Sequence, residues 1–83
     1  MKPILFEKGT NGVFRISIRR FPGVFGIGTS EKESIEDFFA KFEDWAVSDA
    51  AAFERWYREN KATLQTWSQQ PDSAVFVEVN RNL

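Results

Sequence analysis

Three tryptophans recur at a fixed spacing of eleven residues, and this repeat constrains the fold more than any other feature of the sequence. The segment Phe42–Trp45 recurs as Phe53–Trp56 and, in weaker form, as Leu64–Trp67. Eleven residues are close to three helical turns, so a continuous helix would place the three indoles along one stripe. The repeat therefore predicts a helical region that builds a core from aromatic side chains.

A single helix through all three copies would be too long for the rest of the chain. From Glu31 to Gln69 it would measure about 58 Å, whereas strands of five to nine residues span roughly 17–30 Å. Val47–Asp49 offers a break, because a β-branched residue precedes two good N-cap residues. We therefore predict an αα-hairpin whose second helix runs from about Asp49 to Gln69 and is ended by Pro71. The alternative, one long helix, would need a second chain and hence a homodimer.

The first helix is strongly amphipathic. Ser30 and Glu33 form a capping box that predicts its start. Apolar residues follow at helical spacing, and the carboxylates lie off that stripe. The apolar stripe contains Ile35, Phe38, Phe39, Phe42, Trp45 and Ala46, and the acidic row contains Glu33, Glu36, Asp37, Glu43 and Asp44. On the second helix the predicted inward stripe is Phe53, Trp56, Tyr57, Leu64 and Trp67.

Three strands are predicted before the helices and one after them. Ile4–Glu7 and Val13–Phe21 are separated by a turn, and the register that keeps the apolar face intact pairs Phe6 with Ile16. That register uses a three-residue loop with Gly12 in the left-handed conformation, and it sets Glu7 against Arg15. A fourth strand is predicted over Ser73–Asn80, where apolar and other residues alternate.

The third strand is predicted over Val24–Thr29. Pro22 and Gly23 are expected at the centre of the turn that precedes it. This turn would bring Ile18 opposite Ile27 on the apolar face, and would place Gly26 and Gly28 on the other face. Glycine within a strand often marks a close approach by another backbone.

The order β-β-β-α-α-β predicts one α+β domain over residues 1–83. Two helices of similar length should return the chain to the end of the sheet where the third strand finished. The fourth strand would then run antiparallel to the first and third strands. We expect a four-stranded antiparallel sheet with the αα-hairpin packed on one face.

Composition argues against catalysis. The chain has no cysteine and no histidine, which excludes disulfides, thiol or imidazole catalysis and zinc sites. The paired carboxylates Glu36–Asp37 and Glu43–Asp44 lie on a solvated helix face without a cleft that would perturb their pKa values. Gly26–Gly28 lacks the third glycine and the lysine of a phosphate-binding loop. We expect a protein that is not an enzyme and that holds no metal or cofactor.

No segment indicates a membrane or secretion. The apolar run near the amino terminus is too short for a signal peptide, and no run approaches the ~20 apolar residues of a membrane span. Absence of cysteine fits a reducing compartment. We therefore expect a cytoplasmic protein without a membrane partner.

Two surfaces are candidates for binding, because charge is unevenly distributed. Residues 1–30 carry five basic and one acidic side chain, whereas residues 31–59 carry nine acidic and four basic side chains. The acidic row could dock on a basic protein surface or mimic nucleic-acid phosphates. Eight large aromatics of the helices are too many for one small sheet, so a surplus should form an exposed patch. Trp67 is the predicted exposed anchor.

The leading hypothesis is a small protein-binding module that docks through this acidic row and an exposed aromatic. Its partner would be another protein or a nucleoprotein complex. Small, acidic, aromatic-rich chains without cysteine or histidine are common among phage- or plasmid-encoded inhibitors of host machinery, and the similarity is one of size and composition only. The alternative is nucleic-acid binding by the basic face of the sheet, through Arg15, Arg19, Arg20 and Phe21.

Overall fold

The computed structural model describes residues 2–70 and 74–83. It confirms an α+β fold with the predicted order of strands and helices. The elements are β1 (Ile4–Lys8), β2 (Phe14–Ile18), β3 (Phe21–Gly28), α1 (Glu31–Ser48), α2 (Ala50–Gln69) and β4 (Val77–Glu78). The four strands form one sheet in the order β3-β2-β1-β4. The predicted helix stop at Pro71 and strand start at Ser73 lie outside the described residues.

The β1–β2 hairpin has the predicted register. Ile4 lies opposite Ile18, and Phe6 lies opposite Ile16. Gly12 has a φ of 76°, the left-handed conformation that the three-residue loop requires. The loop is closed by a hydrogen bond of 2.8 Å from the Gly9 amide to the Val13 carbonyl. The turn residues and the apolar alternation of the strands therefore both predict the hairpin that the structure shows.

The predicted turn between β2 and β3 was wrong. The chain reverses at Arg19–Arg20, and Ile18 pairs with Phe21 rather than with Ile27. The ladder then shifts, so that Ser17 pairs with Phe25 and the three residues 22–24 bulge out of register. Proline lacks a backbone N–H, so its place in an irregular edge strand removes no ladder hydrogen bond.

This shift reverses the faces predicted for β3. Gly26 pairs with Ile16 and Gly28 pairs with Phe14, so both glycines face the helices. A Cβ atom at Gly26 would overlap the backbone of Phe38. The glycines allow α1 to lie directly on the sheet, and Phe25 and Ile27 consequently point the other way.

The predicted break between the helices is confirmed. α1 ends at Ser48, and α2 begins at Ala50 after the single intervening residue Asp49. The amide of Asp49 still donates to the Trp45 carbonyl at 2.9 Å, whereas its side chain makes no capping hydrogen bond to α2. At the other end of α1, the Ser30 hydroxyl accepts a 3.1 Å hydrogen bond from the Glu33 amide, so the predicted N-cap is confirmed. The reciprocal bond of a capping box differs, because the Glu33 carboxylate accepts from Thr29 rather than from the Ser30 amide.

The core is built from the two predicted helical stripes and the inner face of the sheet. Buried residues from the helices and strands form one cluster: Ile4, Ile16, Ile18, Phe38, Phe42, Trp45, Trp56, Leu64 and Trp67. The rings pack mainly edge to face, for example Trp45 with Phe53 at 5.4 Å between centroids. The prediction of surplus exposed helix aromatics was wrong, because the rings cover one another as well as the sheet.

Trp67 in particular is only 6% exposed, so its predicted exposure was wrong. Its indole stacks on Phe39 at 5.1 Å and meets the edge of Phe6 at 5.1 Å. Its Nε1 atom is buried and finds no hydrogen-bond acceptor among the described residues. Trp67 therefore joins α2 to the sheet and to α1, and offers no anchor to a partner.

The fourth strand differs from the prediction in direction and length. β4 contains two residues and runs parallel to β1, with Val77 opposite Glu7, so the sheet is mixed. Because Trp67 packs on Phe6, the chain leaves α2 beside the middle of β1 rather than beyond the end of the sheet. Phe76 then contacts Phe6 and Phe14, at 5.5 and 5.2 Å, just before the pairing with β1 begins.

Candidate binding surface

The two helices cover one side of the sheet, and no described helix or strand covers the other. We call this other side the open face. Residues that pair across a sheet share a face, so the register of the strands assigns its members. They are Leu5 and Glu7 of β1, Arg15 and Ser17 of β2, Phe25 and Ile27 of β3, and Val77 of β4. Arg19, two residues after Ser17, and Val75, two residues before Val77, extend the face.

The open face carries most of the exposed large apolar side chains of the described chain. Phe25 is 37% exposed, Ile27 41%, Val75 72% and Val77 61%. The remaining one, Val47, is 86% exposed and lies near the end of α1. Contiguous exposed apolar surface on a monomer usually marks a binding site, whereas a single exposed valine needs no explanation.

A shallow groove of about 390 Å³ crosses the β1–β4 side of the open face. It exists because β4 pairs only with the last two residues of β1, Glu7 and Lys8, and leaves the first part of β1 without a neighbouring strand. Leu5, Val75 and Val77 contribute apolar walls, and Arg19 and Lys2 contribute charge. The groove extends the apolar area beyond the centre of the sheet.

The charges of the open face are arranged so that one end is basic. The Arg15 guanidinium lies over the Phe25 ring at 4.9 Å and donates to the Pro22 carbonyl at 3.3 Å. The Arg19 side chain donates from Nε to the Lys2 carbonyl at 3.1 Å. Both arginine head groups therefore lie towards the end of the face where β2 stops and β1 starts.

At the other end of the face, the charge of Glu7 is balanced by an ion pair. Its carboxylate forms a 3.0 Å ion pair with Arg81, although Arg15 lies opposite it in the predicted register. Glu7 is the sole carboxylate among the strand residues assigned to the open face. The exposed charge left on this face is consequently positive.

Two members of the acidic row have a structural role at the edge of the sheet. β3 is an edge strand, and the Asp37 carboxylate accepts a 2.9 Å hydrogen bond from the Ile27 amide. Glu33 accepts from the amide and the hydroxyl of Thr29, at 2.8 and 2.6 Å. These carboxylates occupy backbone donors that another strand could otherwise use.

The same contacts shift the pKa values of both carboxyl groups. Hydrogen bonds from the Thr29 hydroxyl and then the Thr29 amide lower the pKa of Glu33. The hydrogen bond from the Ile27 amide is the main cause that lowers the pKa of Asp37. Burial opposes it to a smaller extent, and Lys41, at 3.2 Å, adds a further lowering through its hydrogen bond and its charge. Hydrogen bonds donated to the charged form favour it.

The other three members of the acidic row are exposed. Glu36 lies 4.0 Å from Lys32 in a solvent-exposed pair. Glu43 and Asp44 are exposed and make no hydrogen bond or ion pair with the described residues. The acidic row thus contains two residues that bind Ile27 of β3 or Thr29 just after it, and three that are available on the surface.

The residues of the alternative, nucleic-acid-binding surface do not lie together. Arg15 and Arg19 lie on the open face. Arg20 lies 3.7 Å from Glu59 of α2, and Phe21 is half-buried on the helix side, with its ring 4.9 Å from that of Trp45. The aromatic residue beside Arg15 is Phe25, which was not among the predicted site residues.

Phe25 and Ile27 were missed because the predicted turn placed them on the helix side. One signal could have found them. In the sequence Phe25-Gly26-Ile27-Gly28, glycines alternate with large apolar residues. A strand whose small residues face a helix must turn the large ones away from it, since alternate residues point to opposite sides.

Neither described helix combines the length and the apolarity that a membrane crossing requires. Among residues 2–70 and 74–83, no group of three potential metal-ligating side chains comes together. The sequence matches no protein-family model, and searches of curated proteins and of solved structures gave no match. Any function must therefore be argued from the surfaces of the molecule itself.

Proposed function

We propose that this chain is a small non-enzymatic protein-binding module that docks through the open face of its sheet. The observation that carries the proposal is the concentration of exposed apolar side chains there: Phe25, Ile27, Val75 and Val77. Burial of apolar surface contributes about 25 cal/mol per Å². A partner that covers this face would gain from all four side chains at once.

The arrangement of Phe25 is that of an interface anchor. Its ring is only partly exposed because the Arg15 guanidinium lies 4.9 Å away across it. Aromatic and arginine side chains dominate the energetics of many interfaces, especially when they lie at the centre of the contact. Ser17 pairs with Leu5 on one side and with Phe25 on the other, and it is buried. Its small side chain leaves a depression between the two larger apolar side chains.

We further propose that the module acts as an inhibitor of phage or plasmid type. It would block a surface of a host protein or nucleoprotein complex. Such a protein needs affinity and bulk rather than a catalytic group. The exposed acidic residues Glu36, Glu43 and Asp44 remain a second part of the proposed docking surface, on the helix side. Asp37 and Glu33 differ from these residues, because their carboxylates accept hydrogen bonds from Ile27 and Thr29.

Capture from a lysate, with matched variants as bait, tests the proposal. The open-face variant is Phe25→Ser/Ile27→Ser, and the control is Val47→Ser, which removes an exposed apolar side chain of α1 that is not part of the open face. We expect wild type and Val47→Ser to retain the same protein and the open-face variant to lose it. Circular dichroism must show all three baits folded.

Equal retention by the open-face variant would contradict docking through the sheet. A further bait, Glu36→Lys/Glu43→Lys/Asp44→Lys, tests the acidic surface without changing Asp37 or Glu33, which bind Ile27 and Thr29. Loss of capture by this bait alone would move the docking site to α1. Loss by both baits would indicate a partner that contacts the two sides of the molecule.

Nucleic-acid binding is the second candidate, and the Arg15–Phe25 pair favours it. A cation beside an exposed aromatic ring on a sheet is a common platform for single-stranded bases. A gel shift with a single-stranded oligonucleotide at low salt tests it, because such binding weakens steeply as salt rises. The candidate requires a shift by wild type that Arg15→Glu/Arg19→Glu removes; without that shift it fails.

A further inference from the structure

The partner of the open face can be specified further if the proposed function is right, since this inference rests on it. One restriction comes from the edge of the sheet. Beside Phe25 and Ile27, the outward amide of Ile27 is bonded to Asp37, and that of Thr29 is bonded to Glu33. An added strand would have to displace both carboxylates. The partner therefore approaches the side chains of this face and not the β3 backbone.

A second copy of the chain is a poor occupant. Two open faces packed about a twofold axis would bring Arg15 and Arg19 of both copies into one interface. Glu7, the one carboxylate among the described strand residues of the face, already pairs with Arg81. Packing of an open face on the acidic helix side of a second copy is heterologous and would give rings or filaments rather than a closed dimer. Charge thus favours a different, acidic partner.

The spacing of the apolar side chains fits a helix. Phe25 and Ile27 are two residues apart on one strand, about 6.8 Å, which is close to the ~6 Å rise between residues i and i+4 of a helix. Phe25 on β3 and Leu5 on β1 are separated by two strand spacings, about 9.5 Å, which is close to the diameter of a helix. Buried Ser17 lies between them, so a helix above β2 would be flanked on both sides.

The charges fit carboxylates at one end of that helix. The head groups of Arg15 and Arg19 lie towards the Lys2 end of the face, whereas the Ile27 and Val77 end holds the neutralised Glu7–Arg81 pair. Negative side chains would be attracted to the first end and gain little at the second. The negative end of the partner's helix dipole would add to the same preference.

We infer that the open face binds an acidic amphipathic helix of a partner protein, with the apolar stripe of that helix between Phe25/Ile27 and Leu5/Val77 and its carboxylates at Arg15 and Arg19. The apolar contacts provide affinity. The arginines select acidic over basic helices and fix the direction in which the helix lies.

Selection from a random peptide library tests this inference without a known partner. The immobilised wild-type protein is the target, and peptides of about 16 residues are used, enough for roughly 24 Å of helix. We expect enriched sequences to repeat apolar residues at i, i+3 or i+4 and i+7, with Asp or Glu grouped towards one end. Synthetic versions should become helical on binding, as measured by circular dichroism.

Two pairs of variants assign the binding to the open face. Phe25→Ser/Ile27→Ser should abolish binding of the enriched peptides, and Val47→Ser should not change it. Arg15→Ser/Arg19→Ser should weaken binding about tenfold, whereas Arg55→Ser/Arg58→Ser, an equal loss of charge on α2, should leave it unchanged. Enrichment of basic or extended peptides, or no enrichment, would overturn the inference.

Failure of the inference is distinguishable from failure of the proposed function. If capture from the lysate depends on Phe25 and Ile27 but the library gives no acidic helices, only the identity of the partner segment is wrong. If neither experiment depends on these residues, protein docking by the open face is wrong as well. Binding of oligonucleotides through Arg15 and Arg19, with no peptide enriched, would assign the face to nucleic acid.

Discussion

Two glycines of β3 occupy very different surroundings. A Cβ atom at Gly26 would overlap the backbone of Phe38, whereas one at Gly23 would meet no atom within 4 Å. Gly26 thus sets how closely α1 approaches the sheet, and through the alternation of the strand it directs Phe25 and Ile27 to the open face. The position of the candidate site therefore depends on Gly26, which lies on the helix side of the sheet.

Gly26→Ala should destabilise the protein by about 1–3 kcal/mol or more, because the helix backbone must move away from the sheet. Gly23→Ala should change stability by less than about 1 kcal/mol, in the stabilising direction, since it only restricts the unfolded chain. Urea unfolding followed by tryptophan fluorescence measures both. Equal effects of the two substitutions would contradict the close approach of α1 at Gly26.

Trp67 combines tight packing with an unsatisfied polar atom. Its ring contacts Phe6, Phe38 and Phe39, while its Nε1 atom has no acceptor among the described residues. We predict that Trp67→Ala costs about 3–5 kcal/mol, as for other large core aromatics. Trp67→Phe should cost much less, because it also removes a buried donor that lacks a hydrogen bond. Thermal unfolding of the two variants would contradict this account if both lost the same stability.

At the scale of elements, the contact between α1 and the edge of β3 is made by charged groups. Asp37 and Glu33 are one helical turn apart, and their carboxylates reach the amide of Ile27 in β3 and the amide of Thr29 just after it. A helix that covers an exposed edge in this way protects it from pairing with another chain. The acidic composition of α1 therefore has a structural explanation at two of its positions.

Stability should fall in acid because of these two carboxyl groups. Their pKa values in the folded protein are lowered, so the folded state binds protons more weakly than the unfolded chain. The stabilisation is complete above the ordinary carboxyl pKa of about 4 and is lost as pH falls below it. We predict that Glu33→Gln/Asp37→Asn lowers the urea midpoint at neutral pH and reduces the difference between neutral pH and about pH 3.

The control for this pH dependence is Glu43→Gln/Asp44→Asn, because these exposed carboxylates make no hydrogen bond or ion pair with the described residues. It should retain the acid sensitivity of the wild type. If the two double variants respond alike to pH, the carboxylates of Glu33 and Asp37 are not the source of the effect.

The elements differ in how well the sequence predicts them, and the reason is local. Ser30 with Glu33, the loop at Gly12 and the aromatic stripes of α1 and α2 are specified by neighbouring residues, and all three predictions were confirmed. The predicted turn into β3 was wrong. Pro22 and Gly23 are a strong turn signal when only the four residues Phe21–Val24 are considered. The observed turn at Arg19–Arg20 is favoured over a turn at Pro22-Gly23 because it places Gly26 against the backbone of Phe38. Phe38 belongs to α1 and is more distant in sequence.

The same distinction explains the candidate site. The basic residues Arg15 and Arg19 were placed correctly, because β2 follows a register that the β1 hairpin fixes. Phe25 and Ile27 were missed with the turn, and β4 was assigned the wrong direction because its path depends on where Trp67 packs. Tertiary contacts of this kind are not visible in the periodicity of a single segment.

At the scale of the whole molecule, the chain has two unlike sides. The helix side is acidic and covers an aromatic core, while the sheet side is apolar and basic at one end. Neither side complements itself, which disfavours a symmetric dimer. We therefore predict a monomer at micromolar concentration. Light scattering should give the mass of one chain; a stable dimer that Phe25→Ser/Ile27→Ser dissociates would instead make the open face a self-association surface.

The most direct test of the open face as a protein-docking surface is covalent footprinting of its side chains. Tagged protein would be labelled with a photoactivated carbene in buffer and in lysate, and the modification of each residue measured by mass spectrometry. We predict that Phe25, Ile27 and Val77 lose labelling in lysate while Val47, on the other side, keeps it. Unchanged labelling of Phe25 and Ile27, or loss confined to the helix side, would contradict the account.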